Sequence, residues 1–321
     1  MTKEDKLSEN QVLTSKKLKS KEEKNAIPKQ FRKHKIFKYR GAKKANRSRT
    51  VDFLLFLLLG FLAVFMILPI WIVIINSFKP VQEMFVFPPK LFTAHPTLNN
   101  FTQLSQILAN MWVPFSRYLF NSVIVTATAT IGNIIVSSMA AYPLALHNFK
   151  GKKVINEIIV DALLFTPQVL YIPQYIIIAK LGLINNHLAL ILPTVQMTLG
   201  TFLMRQFMTQ LPVSLLEAAR IDGAKEMYIW WKIVMPTVKP AWLTLMIFAF
   251  QSIWANNGNL YLYKENLKVL PSIIPQIQAS GLVYAGASSA VMLVLMLPPI
   301  ILFMICQKSV IETMATSGIK D

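Results

Sequence analysis

Charge is absent over long runs of this chain, and that absence constrains its fold more than any other feature. Residues 53–78 and 118–149 contain no Asp, Glu, Lys or Arg, and 54% of the 321 residues are hydrophobic against 15% charged. In a bilayer the backbone satisfies its own hydrogen bonds, so a spanning segment is a helix or part of a closed barrel. A hydrocarbon core of ~30 Å takes about 20 apolar residues in helical form. Six runs approach or exceed that length, over residues 53–77, 118–146, 154–179, 188–204, 241–262 and 283–306. The expectation is an all-α membrane protein with six transmembrane helices. The first run is too long for the apolar part of a signal peptide and has no small-residue cleavage site, so it reads as a retained anchor.

Basic residues set the orientation. With the N-terminus inside, 27 of the 33 Lys/Arg fall in cytoplasmic segments and 6 outside; without the first 50 residues the split is 10 to 6 in the same direction. The positive-inside rule then places both termini in the cytoplasm. The organisation expected is a basic cytoplasmic tail over 1–50, then a first helix and extracellular connection over 51–117. A five-helix core over 118–306 follows, with an inner loop at 205–240, and a cytoplasmic tail over 307–321 ends the chain.

The net charge of +18 resembles a nucleic-acid signature only until its distribution is considered. Residues 1–50 hold 17 Lys/Arg against 5 Asp/Glu, so +12 of the total lies in the tail. No stacking aromatics or metal-finger spacing accompany it, which argues against nucleic acid. A solvated tail beside an anionic lipid surface fits, at about 1 kcal/mol per basic residue close to the membrane. Cys306 is the single cysteine, so no intrachain disulfide is possible, and no metal site is expected. Pro69, Pro143, Pro167, Pro173, Pro193, Pro298 and Pro299 lie inside the apolar runs. Each removes a helix donor; kinks around a pathway and ordinary membrane-helix prolines are both open readings.

The inner loop reads LPVSLLEAARIDGAKE from Leu211, and WWKIVMP from Trp230 to Pro236. Ser214 and Glu217 have capping-box spacing with Pro212 just upstream, which predicts a helix start. Ala218 and Ala219 favour helix and leave a smooth face. Gly223 permits a sharp turn, and Asp222 beside it is placed to cap the next short helix. Physics alone gives a helix-turn-helix on the cytoplasmic face, either a lever or an amphipathic interfacial loop.

The spacing carries more. Glu217, Ala218, Ala219, Gly223, Ile233, Met235 and Pro236 stand at the separations of the EAA motif, and the loop resembles that of binding-protein-dependent ABC importer permeases. Met235 is the one departure, where Leu is usual. The resemblance implies a coupling helix, between the fourth and fifth spans, that docks into a cleft of an ATPase subunit. Glu217 would pair with a basic group there, Ala218 and Ala219 would pack in the cleft, Gly223 beside Asp222 would form the bend, and Ile233 and Pro236 complete the motif. It implies a transport subunit rather than an enzyme, in a bacterial cytoplasmic (plasma) membrane and with no cofactor of its own. Its expected partners are a second permease in a heterodimer, two cytoplasmic ATPases that carry ATP and Mg, and an extracytoplasmic solute-binding protein. The chain contains no G-x-x-x-x-G-K-[ST] phosphate loop, so the ATPase is a separate subunit.

Flanking segments narrow the resemblance, which covers nearly everything after residue 50. Residues 76–80, 115–122, 140–143 and 149–152 are similar to the carbohydrate branch, near the smaller permease of maltose-type importers. The run from Gln307 to Asp321 is similar to tails in a sub-branch associated with complex oligosaccharides, which implies ATPase contacts at Ser317, Gly318 and Lys320. The cargo so implied is a sugar, in particular an oligosaccharide. Aromatic faces and amides hold sugars by stacking and hydrogen bonding. Residues of those types in the runs are Gln168, Tyr171, Gln174, Gln196, Gln251, Trp254, Asn256 and Asn257. Tyr and Trp also anchor helices at membrane interfaces, and Gln and Asn also bond helices together. The segment 78–117 is expected to face the binding protein or to be a plain connection.

An ion-coupled secondary transporter is the main competitor from another class. It would place ionisable groups at mid-membrane, whereas only Glu157 and Asp161 lie within a run, near the inner end of the third. No inverted repeat is evident in the sequence either. An ABC permease for a non-sugar solute is the other alternative.

Overall fold

The computed structural model describes residues 49–165 and 167–317. Residues 1–48 of the basic tail expected over 1–50, both chain ends, Gly318 and Lys320 lie outside the described residues, and so do the expectations that rest on them. The chain divides into two compact units, Met1–Met66 and Ile67–Asp321, and helix α1 (Arg49–Phe78) belongs to both. In the first unit the large side chains of α1, among them Phe53, Phe56, Phe61 and Phe65, are exposed. Such a surface suits hydrocarbon and not water.

The second unit continues with α2 (Asn99–Ala109), α3 (Phe115–Leu146), α4 (Lys152–Ala162), α5 (Pro167–Lys180), α6 (Leu188–Val195) and α7 (Thr198–Met208). Then come α8 (Val213–Ile221), α9 (Glu226–Thr237, with a π-helical stretch at Ile229–Val234), α10 (Lys239–Trp254), α11 (Ile273–Ala279) and α12 (Ala285–Ser317). Helix α3 is central, packing on α6, α7 and α10, while α10 packs on α12. Its buried face is small and polar, with Ser122, Thr126, Ala129, Asn133, Ser137 and Ala141. Small side chains let membrane helices approach closely. At Gly200 on α7 an added Cβ would collide with Ser137 Oγ. Asn133 Nδ2 donates to the carbonyls of Thr194 at 2.8 Å and Val195 at 3.2 Å, where α6 gives way to α7. A similar amide finishes α1: the buried Asn100 donates to the carbonyls of Asn76, Ser77 and Lys79 at 3.3, 3.0 and 2.8 Å.

The expected six spans are not found. Among the described residues four helices are long and apolar enough to cross a membrane: Thr50–Phe78, Phe115–Leu146, Leu188–Met208 and Leu282–Lys308. A fifth crossing exists only if α9 and α10, bent by 82°, count as one. The run at 154–179 is instead two short helices, α4 of 11 residues and α5 of 14. Pro167 opens α5 without an N–H to offer, and Glu157 and Asp161 lie on α4, which has no buried residue. Those carboxylates are therefore carried by a short exposed helix rather than held inside a span. The run at 241–262 stops at Trp254, where Asn256 Oδ1 accepts the Gly258 N–H at 2.9 Å and Gly258 adopts a φ of 67°. The helix α8 accordingly lies between the Leu188–Met208 span and the bent pair, not between the fourth and fifth of six.

Candidate functional site

The loop between α7 and α10 is preformed by its own sequence. Pro212, with φ −62° and ψ 125°, leads the chain into α8. The capping box expected from Ser214 and Glu217 is not made: the N-cap is Pro212, which has no side-chain cap bond, and Ser214 is already inside the helix. Gly223 ends α8 in the left-handed region at φ 80°. Its N–H donates to Arg220 O at 3.0 Å, and the Ala224 N–H reaches back to Ala219 O at 3.0 Å. This pair of bonds is a Schellman closure with glycine where the chain turns left-handed. Asp222 forms the C-cap of α8 instead of capping α9, whose N-cap is Lys225.

Periodicity decides which face of α8 is free. Leu216 and Ala219 are buried, at 1% and 9% exposure, against Tyr142 of α3, Met204 and Met208 of α7, and Trp230 and Met235 of α9. Full burial of a leucine is worth about 1.5–3 kcal/mol as an upper estimate. Glu217, Ala218, Ile221, Asp222 and Gly223 are exposed. The two alanines expected to act together thus point apart: Ala219 into this chain, Ala218 away from it. In α9 the π-helical stretch buries Ile229, Trp230 and Val234, leaves Ile233 half-buried and leads to an exposed Pro236. The bend follows at Val238, one residue before Lys239 and Pro240 open α10. Proline supplies no N–H there, and the Trp242 indole N–H donates to the Met235 carbonyl at 3.1 Å.

One side chain missed by the sequence reading organises this region. Glu226, the first residue of α9, accepts the Arg220 Nε at 2.8 Å through Oε1 and the Tyr142 hydroxyl through Oε2. His147 Nε2 stands 3.4 Å from the same Oε2. The Tyr142 and His147 rings meet edge to face at 5.2 Å. Hydrogen bonding to Glu226 pushes the Arg220 guanidinium still higher in pKa, so it stays charged. Lys152 Nζ completes the corner by donating to the carbonyls of Ala145 at 3.3 Å and His147 at 2.9 Å, as a cation at a helix C-terminus does. The available signal was the placement of Arg220 and Glu226 on opposite sides of the Gly223 turn.

The expected pathway residues are not a single group. Gln168, Tyr171 and Gln174 recur at steps of three on α5, with Gln168 and Tyr171 exposed and Gln174 half-buried. Gln251 is exposed on α10. Trp254 is core: it is buried, donates its indole N–H to Leu295 O at 2.8 Å and stacks on Phe250 at 5.5 Å. Asn256 and Asn257 shape the turn after α10 by accepting the N–H groups of Gly258 and Asn259, and Gln196 is exposed at the break between α6 and α7. A cavity of about 330 Å³ lies in the segment after α10, lined by residues that include Asn259, Tyr263, Lys268 and Gln276. No expected pathway residue lines it. Ser317 is the last residue of α12.

Residues 132–315, a stretch that contains the whole loop, match the family described as binding-protein-dependent transport system inner membrane component. The chain is 28% identical over 292 residues to the arabinooligosaccharides transport system permease protein AraQ of Halalkalibacterium halodurans, spanning 86% of this chain and 99% of that protein. It is 30% identical over 242 residues to the sn-glycerol-3-phosphate transport system permease protein UgpE of Yersinia pestis, spanning 68% and 82%. A bacterial ABC transporter involved in the import of the acidic polysaccharide alginate shares the fold, with a TM-score of 0.69, 21% identity, and 82% of this chain and 99% of that chain covered. With the family matched over more than half its length and its apolar spans in place, the chain belongs to the binding-protein-dependent transport system inner membrane components, the non-catalytic permeases of ABC importers.

Proposed function

We propose that this permease conducts a sugar, and specifically an oligosaccharide, and that α8 is the element by which cytoplasmic ATPase subunits drive it. The observation that carries the reading is the free face of α8: Glu217 and Ala218 stand exposed on a helix already closed at Gly223 and anchored by Leu216 and Ala219. A small, flat surface beside a carboxylate suits a cleft with a basic rim. Ala219, Gly223, Asp222, Ile233 and Pro236 hold that surface in shape. Ser317, with Gly318 and Lys320, is assigned to a second ATPase contact. Gln168, Tyr171, Gln174 and Gln251 remain the candidates for cargo contact. Trp254 and Asn256 act instead through helix packing and the turn after α10. A second permease, two ATPases and a solute-binding protein complete the machine.

Sugar cargo is supported by the likeness to an arabinooligosaccharide permease. A phosphorylated polyol is the second reading, favoured by the 30% identity to a glycerol-3-phosphate permease. Co-expression of the full complex with an affinity tag on this chain separates these claims. With Ala218→Trp the tagged chain is expected in the membrane at parent level but without ATPase subunits. Retention of the ATPases would remove the docking role. In the parent complex, labelled arabinooligosaccharide uptake that survives excess glycerol 3-phosphate supports sugar cargo, and the reverse competition overturns it.

A further inference from the structure

The docking surface explains how force arrives, but not how it leaves α8. The buried cluster beneath the loop is apolar, and apolar burial is non-directional. Across it the described residues place one polar junction: Glu226, held by Arg220 from the end of α8 and by Tyr142 and His147 from the end of α3. We propose that Glu226 is the tie that makes α8, α9 and α3 move as one body, so that displacement of the loop is passed to the central helix of the bundle. The proposal rests on the docking role given above.

Three observations support a tie rather than a stabiliser. Arg220 and Glu226 are 36% and 49% exposed, and an ion pair so open to water is worth only about 0–1 kcal/mol. The burial of Leu216, Trp230, Val234 and Met235 holds the loop in place without it. The junction also spans the Gly223 turn between the two arms, and ends on Tyr142, one residue before Pro143 interrupts the α3 hydrogen-bond ladder. Charged hydrogen bonds are directional and fix register where apolar packing does not. Glu226 is a positioning residue: it stands apart from the free face of α8 and acts through Tyr142.

The test reads distance, and so needs no cargo. In a Cys306→Ser background, spin labels at Leu215→Cys, exposed on α8 on the side opposite Glu217, and Phe149→Cys after α3 report the separation of loop and helix in the full complex, with and without ATP and vanadate. One unchanged distance in both states is expected for the parent. Glu226→Gln, and Tyr142→Phe as the milder variant that removes a single hydroxyl, are expected to broaden the distance without nucleotide and to add a second, longer one when nucleotide is bound. Both variants should keep the ATPases on the tagged chain. A parent distance that shifts with nucleotide, or variants indistinguishable from the parent, overturns the tie. Loss of the ATPases in Glu226→Gln assigns that residue to the docking surface and overturns it equally. If the parent itself purifies without ATPases, the docking reading fails; the nucleotide-free distances then still decide the tie, a broadening in the variants supporting it and none overturning it.

Discussion

Gly200 and Ser137 meet where α7 crosses α3, and a Cβ on the glycine would force Ser137 Oγ to move within a crowded contact that also holds Leu245 and Asn133. Overpacking of this kind costs about 1–3 kcal/mol, so Gly200→Val should lower the apparent melting temperature in detergent, while Gly60→Val, on an open stretch of α1, should not. Glu265 gives a pH-dependent counterpart. Burial pushes its carboxyl up, but Lys268 at 2.7 Å, the Tyr118 hydroxyl at 2.6 Å and the Gln276 amide at 2.8 Å outweigh it and hold the group below the usual carboxylate range. A folded pKa lowered in this way stabilises above the unfolded value of about 4 and is lost as pH falls through the folded value. The acid side of a melting-temperature curve should therefore flatten in Glu265→Gln, by about 1 kcal/mol at most because the pair is partly open to water. Residues such as these were not legible in advance. Trp254 shows why: an indole suits a sugar face and a helix core equally, and only the Leu295 carbonyl decides between them.

Among the elements, the loop was the most legible. Gly223 announced a turn, and the structure gives it a positive φ and a Schellman closure. No atom lies within 4 Å of a Cβ built there, so a side chain is penalised by backbone conformation alone, at about 1–2 kcal/mol. Gly223→Ala should reduce the ATPase recovered with the tagged chain modestly. Gly223→Pro, whose ring demands a negative φ, should abolish it at unchanged membrane abundance. Capping was less legible, because Ser214 and Glu217 have the right spacing two residues too late for the helix that Pro212 begins. At Glu226 only the local half of the junction, the pairing with Arg220 across the turn, left a signal in the sequence. The other half joins residues 84 apart in sequence, Tyr142 and Glu226, and no local pattern encodes that distance.

For the molecule as a whole, apolar runs revealed the solvent but not the number of crossings. A hydropathy window counts residues and is blind to what interrupts them: Pro167 at the start of α5, two carboxylates on α4, the turn after Trp254 and the 82° bend at Val238. The family was legible because it is written in side-chain types at fixed spacing in one loop, and the match over 132–315 agrees with it. The division of Ala218 and Ala219 between opposite faces has a kinetic meaning. A segment that orders only on contact pays the loss of chain freedom at each encounter. Here Leu216 and Ala219 have already ordered α8, so any partner docking there would meet a finished surface. If α8 is the docking element proposed above, association runs at the pace of collision and alignment rather than of folding, and a transport cycle that pressed on this helix again and again would lose no time rebuilding it.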